Sequence, residues 1–251
     1  MKKLYNKSEL WFSIIWIIAY VVLFSIADGL SEKTGYMKSI TALVGILLST
    51  IIIIFLKKNN LLEKYGLCSF KGNLKSFLYF IPLLAILTVN LWNGVRMNTS
   101  VINTILFITS MICVGFLEEI IFRGFLFKMM AKDNLKVAIL VSSLTFGVGH
   151  IVNIFNTSDI LGVLLQVCYA TSIGFLYTII FYKSGSLWPN IISHAFVNGT
   201  SVFASEYGPF SSLINLIFGS SSQSLVEIIS ALIIIIISSS YALWLYKKNV
   251  V

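Results

Sequence analysis

Charge is what this chain lacks most. Only 11% of its 251 residues are Asp, Glu, Lys or Arg, less than half the roughly 25% of a typical soluble domain. That scarcity excludes a water-solvated globular surface, and the 57% of hydrophobic residues points to lipid as the main solvent. Cysteine is nearly absent as well. Cys68, Cys113 and Cys168 are odd in number and have no metal-ligand spacing. Nothing beside them would stabilise a thiolate, so a catalytic cysteine is disfavoured, and Cys113 and Cys168 read as small core residues. No internal repeat is visible, which weakens the case for a transporter built from inverted halves. No hydrophilic stretch is long enough for a separate soluble domain, and residues 1–251 read as one integral membrane domain.

What is present is a series of long apolar runs, each of a length that crosses a bilayer as a helix. Eight candidates can be marked: Leu10–Ala27, Ser39–Leu56, Leu74–Trp92, Met97–Leu117, Val137–Asn153, Ile160–Tyr182, Ser186–Ser205 and Leu225–Tyr246. The expected fold is therefore all-α, a polytopic membrane protein of about eight transmembrane helices enclosing an intramembrane polar cavity. The first run has a basic start and a small-x-small pattern at Ser25-Ile26-Ala27, but it is too long for a signal peptide and reads as a retained helix. The segment Glu206–Gln223 holds Gly208, Pro209, Phe210 and Phe218 and reads as interfacial or partly re-entrant.

The net charge of +8 would fit a nucleic-acid ligand if it were gathered on one surface. It follows topology instead. With the N-terminus inside, the cytoplasmic segments hold Lys2, Lys3 and Lys7; Lys57, Lys58, Lys64, Lys71 and Lys75; Arg123, Lys128, Lys132 and Lys136; Lys183; and Lys247 and Lys248. These are fifteen of the eighteen basic residues, leaving Lys33, Lys38 and Arg96 outside. The positive-inside rule then puts both termini in the cytoplasm, and no nucleic-acid partner is needed.

Against this apolar background a few ionisable groups stand out in the region of about 101–205. Each such group at membrane depth costs about 2.5–3.5 kcal/mol on insertion scales and marks a functional site by default. Glu118 and Glu119 are neighbours on a helix, so their side chains diverge by about 100° and cannot share one role. Glu119 and Arg123 are four apart, the spacing of a same-face ion pair. Glu118 has no such partner and is free to face a cavity as a base. Both histidines of the chain, His150 and His194, lie in apolar runs. Phe146 shares a face with His150, and Asn198 shares one with His194. An imidazole and a carboxamide on one face can both donate to a developing oxyanion, and one such donor is worth about 100–1,000-fold in rate. Taken singly, each reads equally as packing: a satisfied core histidine, a helix-to-helix hydrogen bond at Asn198, packing at Asn190 and Ser193, a boundary charge at Arg123. Taken together they suit attack of water on an amide or ester, with Glu118 as base, His150 positioning the water, and His194 and Asn198 holding the oxyanion. Zinc bound by Glu118, His150 and His194 is a weaker alternative, because it would use up the base and no His-x-x-x-His pair is present. The expectation is chemistry without a cofactor.

At these residues the chain resembles the CAAX protease and bacteriocin-processing family of intramembrane proteases. Glu118-Glu119-Ile120-Ile121-Phe122-Arg123 looks like its first motif, Phe146-x-x-x-His150 its second, and Ser186-Leu187-Trp188-Pro189 through His194 to Asn198 its third. The resemblance covers roughly Phe116–Asn198. It implies catalytic roles for Glu118, His150, His194 and Asn198, support from Glu119 and Arg123, and a conical cavity opening to the cytoplasm. The partners implied are membrane lipid and a small or lipidated peptide substrate. The Ile-, Lys- and Asn-rich composition points to a bacterial plasma membrane, where peptide processing, signal maturation or bacteriocin self-immunity would be the setting. Two readings from other classes compete with the protease. One is a non-proteolytic immunity or scaffold protein that binds a peptide or sensor kinase; the other is a proton-coupled transporter. Oligomeric state leaves no trace in the sequence.

Overall fold

In the computed structural model, which describes residues 1–69 and 81–248, the chain is a bundle of helices. A short α1 (Lys2–Lys7) leads into α2 (Glu9–Thr34) and α3 (Ser39–Lys58). After the described end of the next segment, α4 (Ile81–Leu87), comes α5 (Val101–Glu118), which continues without a break into a π-helical stretch, Glu119–Phe127, and α6 (Lys128–Met130). The remainder is α7 (Leu135–Gly149), α8 (Ile160–Ser184), α9 (Trp188–Thr200), α10 (Pro209–Phe218) and α11 (Gln223–Lys247). The only β pairing among the described residues is one antiparallel bridge between Val95 and Ala204.

Local chemistry explains where the long helices begin and end. Ser8, Ser100, Asn134 and Asp159 each accept a hydrogen bond from a backbone N–H of the first turn of α2, α5, α7 and α8, satisfying donors that a helix start leaves open. At the other end of α2 and α8, Gly35 and Gly185 take φ of 74° and 67°, the left-handed conformation that stops a helix.

Six helical segments among the described residues are long and apolar enough to cross a membrane: Glu9–Thr34, Ser39–Lys58, Val101–Met130, Leu135–Phe155, Ile160–Ser184 and Gln223–Lys247. The other two expected spans differ. Leu74–Trp92 falls partly outside the described residues. Ser186–Ser205 forms a helix of only 13 residues, Trp188–Thr200, followed by a 3-10 turn at Ser201–Phe203. At 1.5 Å per residue α9 is about 20 Å long, short of the roughly 30 Å hydrocarbon core. Asn190, Ser193 and His194 are buried on its inner face, and Trp188, Ile192 and Phe196 are exposed on its outer one. One face packs against α5, where Gly115 permits the approach: a Cβ there would come within 2.8 Å of the Ala195 backbone nitrogen. α8 packs between α7 and α11. Outward faces such as Leu43 and Leu47 of α3, 67% and 57% exposed, are the lipid-contact surface expected of a spanning helix.

The end of the bundle that carries α1 and the close of α11 is sealed by aromatic packing. Phe12 stacks on Phe55 at 5.3 Å and meets Phe125 edge-on at 5.1 Å, and Tyr65 meets Phe125 at 4.9 Å. Over this layer Glu9 accepts from Lys64 and Lys132, both at 2.9 Å, and from Tyr65. Lys64 also donates to the Tyr5 hydroxyl. At the opposite end, α10 lies beside the segment before α5, with Phe210 5.0 Å from Trp92 and the Ser211 N–H bonded to Asn93. The loop Glu206–Gln223, expected to be interfacial, thus contains a short apolar helix that leaves Leu216 83% exposed. Of the two cysteines expected in the core, Cys113 is buried and Cys168 is exposed. Its place on the outer face of α8 corrects that expectation.

Candidate active site

A cavity of about 920 Å³ occupies one half of the bundle. Glu118, Phe122, Phe146, Tyr177 and His194 form its inner end, and His150 and Asn198 line its wall.

The inner end is built around Glu119. The change from α to π winding begins at this residue, and the nine residues Glu119–Phe127 are all buried. Such π segments are rare and recur at functional sites. The Glu119 carboxylate accepts from Arg123 Nη1 at 2.9 Å, from His194 Nδ1 at 2.9 Å and from Asn190 Nδ2 at 3.2 Å. Asn190 also donates to the Tyr177 carbonyl at 2.8 Å. Arg123 and Glu119 are both fully buried, so Arg123 is a core residue and not one of the loop charges counted from the sequence. The guanidinium carbon lies over Phe146, 4.0 Å from the ring centroid. That face attracts a cation, and Arg123 Nε and Nη2 make no hydrogen bond among the described residues. Phe146 also contacts His150 and His194 edge-on, at 5.2 and 5.7 Å. Opposite it, Gly174 leaves room for the guanidinium; a Cβ would stand 3.0 Å from Phe146 and 3.1 Å from Arg123 Nη2.

Glu118 points the other way, into the cavity. Its Oε1 accepts a 2.6 Å hydrogen bond from the Tyr20 hydroxyl on α2. Its Oε2 accepts none among the described residues and lies 3.4 Å from His194 Nε2. The His194 ring is thus held between two carboxylates. Because Glu119 is an acceptor, Nδ1 is assigned the proton, and Nε2 accepts in the neutral ring and donates only in the doubly protonated one. The Nδ1 of His150 is 2.9 Å from the Phe146 carbonyl, so it too carries a proton and directs Nε2 away from its own helix. Among the described residues, neither His150 nor the Asn198 side chain is bonded to Glu118 or His194. They face the same cavity from a 3-10 stretch, His150–Asn156, and from α9. No three His, Cys, Asp or Glu side chains among the described residues are gathered as a metal site. The Glu118, His150 and His194 set would have to converge further to bind zinc.

Two participants escaped the sequence reading. Tyr20 lies 98 residues from Glu118 and looked like one of many aromatic residues in the first span. Asn190 read as packing but completes the shell of Glu119.

The cavity opens at the end that carries the loops after α2, before α5, after α7 and after α9. Asp28, Asn93, Asp159, Glu206 and Gln223 line it there. Met1 and Lys248, the described ends of the chain, lie at the other end. Cytoplasmic termini, expected from the charge distribution, and a cytoplasmic mouth, implied by the family resemblance, are therefore mutually exclusive in this fold.

No curated protein and no solved structure matches the chain. A family model does: residues 100–200 match type II CAAX prenyl endopeptidase, Rce1-like. The matched stretch carries every side chain of the inner site except Tyr20, and over it the chain is similar to the type II CAAX prenyl endopeptidases.

Proposed function

We propose that the chain hydrolyses a peptide bond in a small membrane-associated, leader or lipidated peptide, with Glu118 activating the water. One observation carries this reading: at the inner end of the cavity, one oxygen of Glu118 is held by Tyr20 and the other accepts no hydrogen bond among the described residues. A carboxylate held in this way is oriented and still has a lone pair for a water proton.

In the proposed mechanism, Glu118 Oε2 takes a proton from water bound between it and His150 Nε2. The resulting hydroxide adds to the carbonyl carbon of the scissile amide. The oxyanion accepts from the Asn198 carboxamide and from His194 Nε2–H in the doubly protonated ring. Collapse breaks the C–N bond, and Glu118 returns its proton to the leaving amine. Glu119 serves as a positioning residue: it fixes the tautomer of His194, and Arg123 and Asn190 hold Glu119 in turn. The reading is metal-free and places both termini in the cytoplasm. Peptide maturation and bacteriocin self-immunity are the proposed settings.

The test compares secreted and membrane peptides from cells with wild type, Glu118→Ala or no protein, at matched membrane levels. A peptide that matures only with wild type supports catalysis. Wild-type behaviour of Glu118→Ala, with an effect of deletion, would replace the protease by the scaffold reading.

A further inference from the structure

Between its mouth and its inner end the wall of the cavity carries apolar side chains such as Val152, Val163, Ala170 and Ile173. A polar pair interrupts them. Asn153 Nδ2 donates to Gln166 Oε1 at 2.9 Å, tying the 3-10 stretch His150–Asn156 to α8. Both side chains are half-buried and line the cavity. A carboxamide offers two N–H donors and an oxygen with two lone pairs. Their mutual bond uses one donor and one lone pair, and among the described residues neither side chain makes another hydrogen bond. Exchanging O and N in both amides gives the same result, a free donor beside a free acceptor. The bond also fixes both groups before a ligand arrives, which lowers the cost of ordering them on binding.

Helix geometry places the pair relative to the inner site. A 3-10 helix repeats every three residues, so Asn153 stands one turn beyond His150 on the same face. On α8, Gln166, Ala170, Ile173 and Tyr177 share the face that lines the cavity. Tyr177 lies at the inner end, its ring 5.9 Å from that of His194. The rise of α8 from Gln166 to Tyr177 is about 16 Å. An extended chain covers that distance in about five residues.

A main chain that enters an apolar cavity loses its water, and every N–H or C=O left without a partner there carries a large penalty. We infer that Asn153 and Gln166 form a main-chain subsite for a substrate peptide held extended in the cavity, about five residues from the scissile bond. The free carboxamide oxygen of the pair accepts a substrate N–H, and the free amide N–H donates to a substrate carbonyl. This rests on the peptidase reading of Glu118 and adds the residues that set the register of the peptide. The pair reads backbone conformation and no side chain. A segment that stays helical keeps its own N–H and C=O groups bonded, and a proline at that point has no N–H to give. The substrate class is therefore a segment that is unwound and free of proline where it meets the pair.

The test uses the full chain in nanodiscs and fluorescent peptides of one Leu-, Ala- and Ser-containing sequence, each N-methylated at a different backbone amide. Binding is read in Glu118→Gln, which halts turnover, and hydrolysis and its position are read in wild type. N-methylation at one position, about five residues from the cleaved bond, weakens binding about three- to tenfold, the value of one hydrogen bond. With Gln166→Met or Asn153→Leu added, the unmodified peptide binds weaker by a similar factor, and methylation at that position costs less than about twofold more. The two substitutions lie on different elements, so one stays readable if the other fails to fold. A pair that only holds the 3-10 stretch in place would lower Tm or kcat for every peptide alike and leave the positional penalty intact; that result overturns the inference. No positional penalty, or no binding of any peptide in the series, also overturns it. A penalty that Gln166→Met removes, with no hydrolysis in wild type, would remove the peptidase reading and leave the subsite as inferred.

Discussion

Changing Glu119 to Gln leaves the shape of the inner site almost unaltered and removes one charge from it. The carboxylate it replaces accepts from Arg123, His194 and Asn190 in a fully buried setting. Gln offers one acceptor oxygen, and its amide nitrogen would face a donor. Arg123 would then be an uncompensated charge with no exposed surface. Breaking a buried pair in this way costs about 3–5 kcal/mol, and a chain of this size loses about 2–4 °C of Tm per kcal/mol. The expected fall for Glu119→Gln is therefore about 6–20 °C in detergent, read by intrinsic fluorescence or scanning calorimetry. Arg123→Met should fall by a similar amount, because it strands the carboxylate. Combining the two removes both charges, and a neutral pair of similar volume is tolerated. The double variant should melt no lower than the worse single one, although simple addition would require roughly twice the loss. It should still fail to cleave peptide, since His194 Nδ1 has lost its carboxylate. Additive losses in the double variant, or single variants within 2 °C of wild type on the scale set by that same conversion, would refute the claim that Glu119 and Arg123 act as one unit.

Tyr20→Phe removes the 2.6 Å donor to Glu118 and leaves the aromatic packing of α2 in place. Hydrogen bonds to charged groups are worth about 1.5–3 kcal/mol, so kcat/KM should drop about ten- to a hundredfold and Tm should fall by about 3–12 °C, because Glu118 Oε1 loses its donor. Gly115→Ala drives a Cβ against the Ala195 backbone and separates α5 from α9; both Tm and hydrolysis should fall, by about 1–3 kcal/mol in stability. Gly29→Ala meets nothing within 4 Å and should be neutral or slightly stabilising in the same melt. Lys64, outside the spanning helices, is held above the ordinary lysine range. Burial opposes its charge, but Tyr5 and Glu9 outweigh that. A raised folded value means the clasp contributes fully below the unfolded lysine pKa and is lost as pH rises through the folded one. Tm should therefore hold through neutral pH and decline under strongly alkaline conditions, and Lys64→Gln should flatten that decline.

Much of the inner site was legible in the sequence, and the reason is physical. A charge in an apolar run has a cost that composition cannot hide, so Glu118, Glu119, Arg123 and the two histidines were visible at once. Helical spacing was enough to join Glu119 to Arg123 and His194 to Asn198. Tyr20 was not visible, because a tyrosine in an aromatic-rich helix carries no signal until a partner 98 residues away is placed beside it. Asn190 was missed for the same reason. The break in the Ser186–Ser205 run was not visible either, because apolar windows register composition and not where a helix stops, here at the 3-10 turn Ser201–Phe203. The direction of the mouth depends on which helix ends gather around the cavity, a property of three-dimensional order that neither periodicity nor charge counting contains.

The aromatic layer of Phe12, Phe55, Tyr65 and Phe125, with the Glu9 clasp over it, gives the cavity a blind end. A polypeptide that enters can only back out by the way it came, so both fragments are returned to the compartment of origin and nothing is carried across. Water at Glu118 communicates with a single aqueous phase, and the protons taken up and released during a turnover balance within that phase. The voltage across the membrane falls over the packed half of the bundle rather than over the reacting atoms. Turnover in such an enzyme is expected to respond to the pH of one side alone and to be indifferent to whether the membrane is energised.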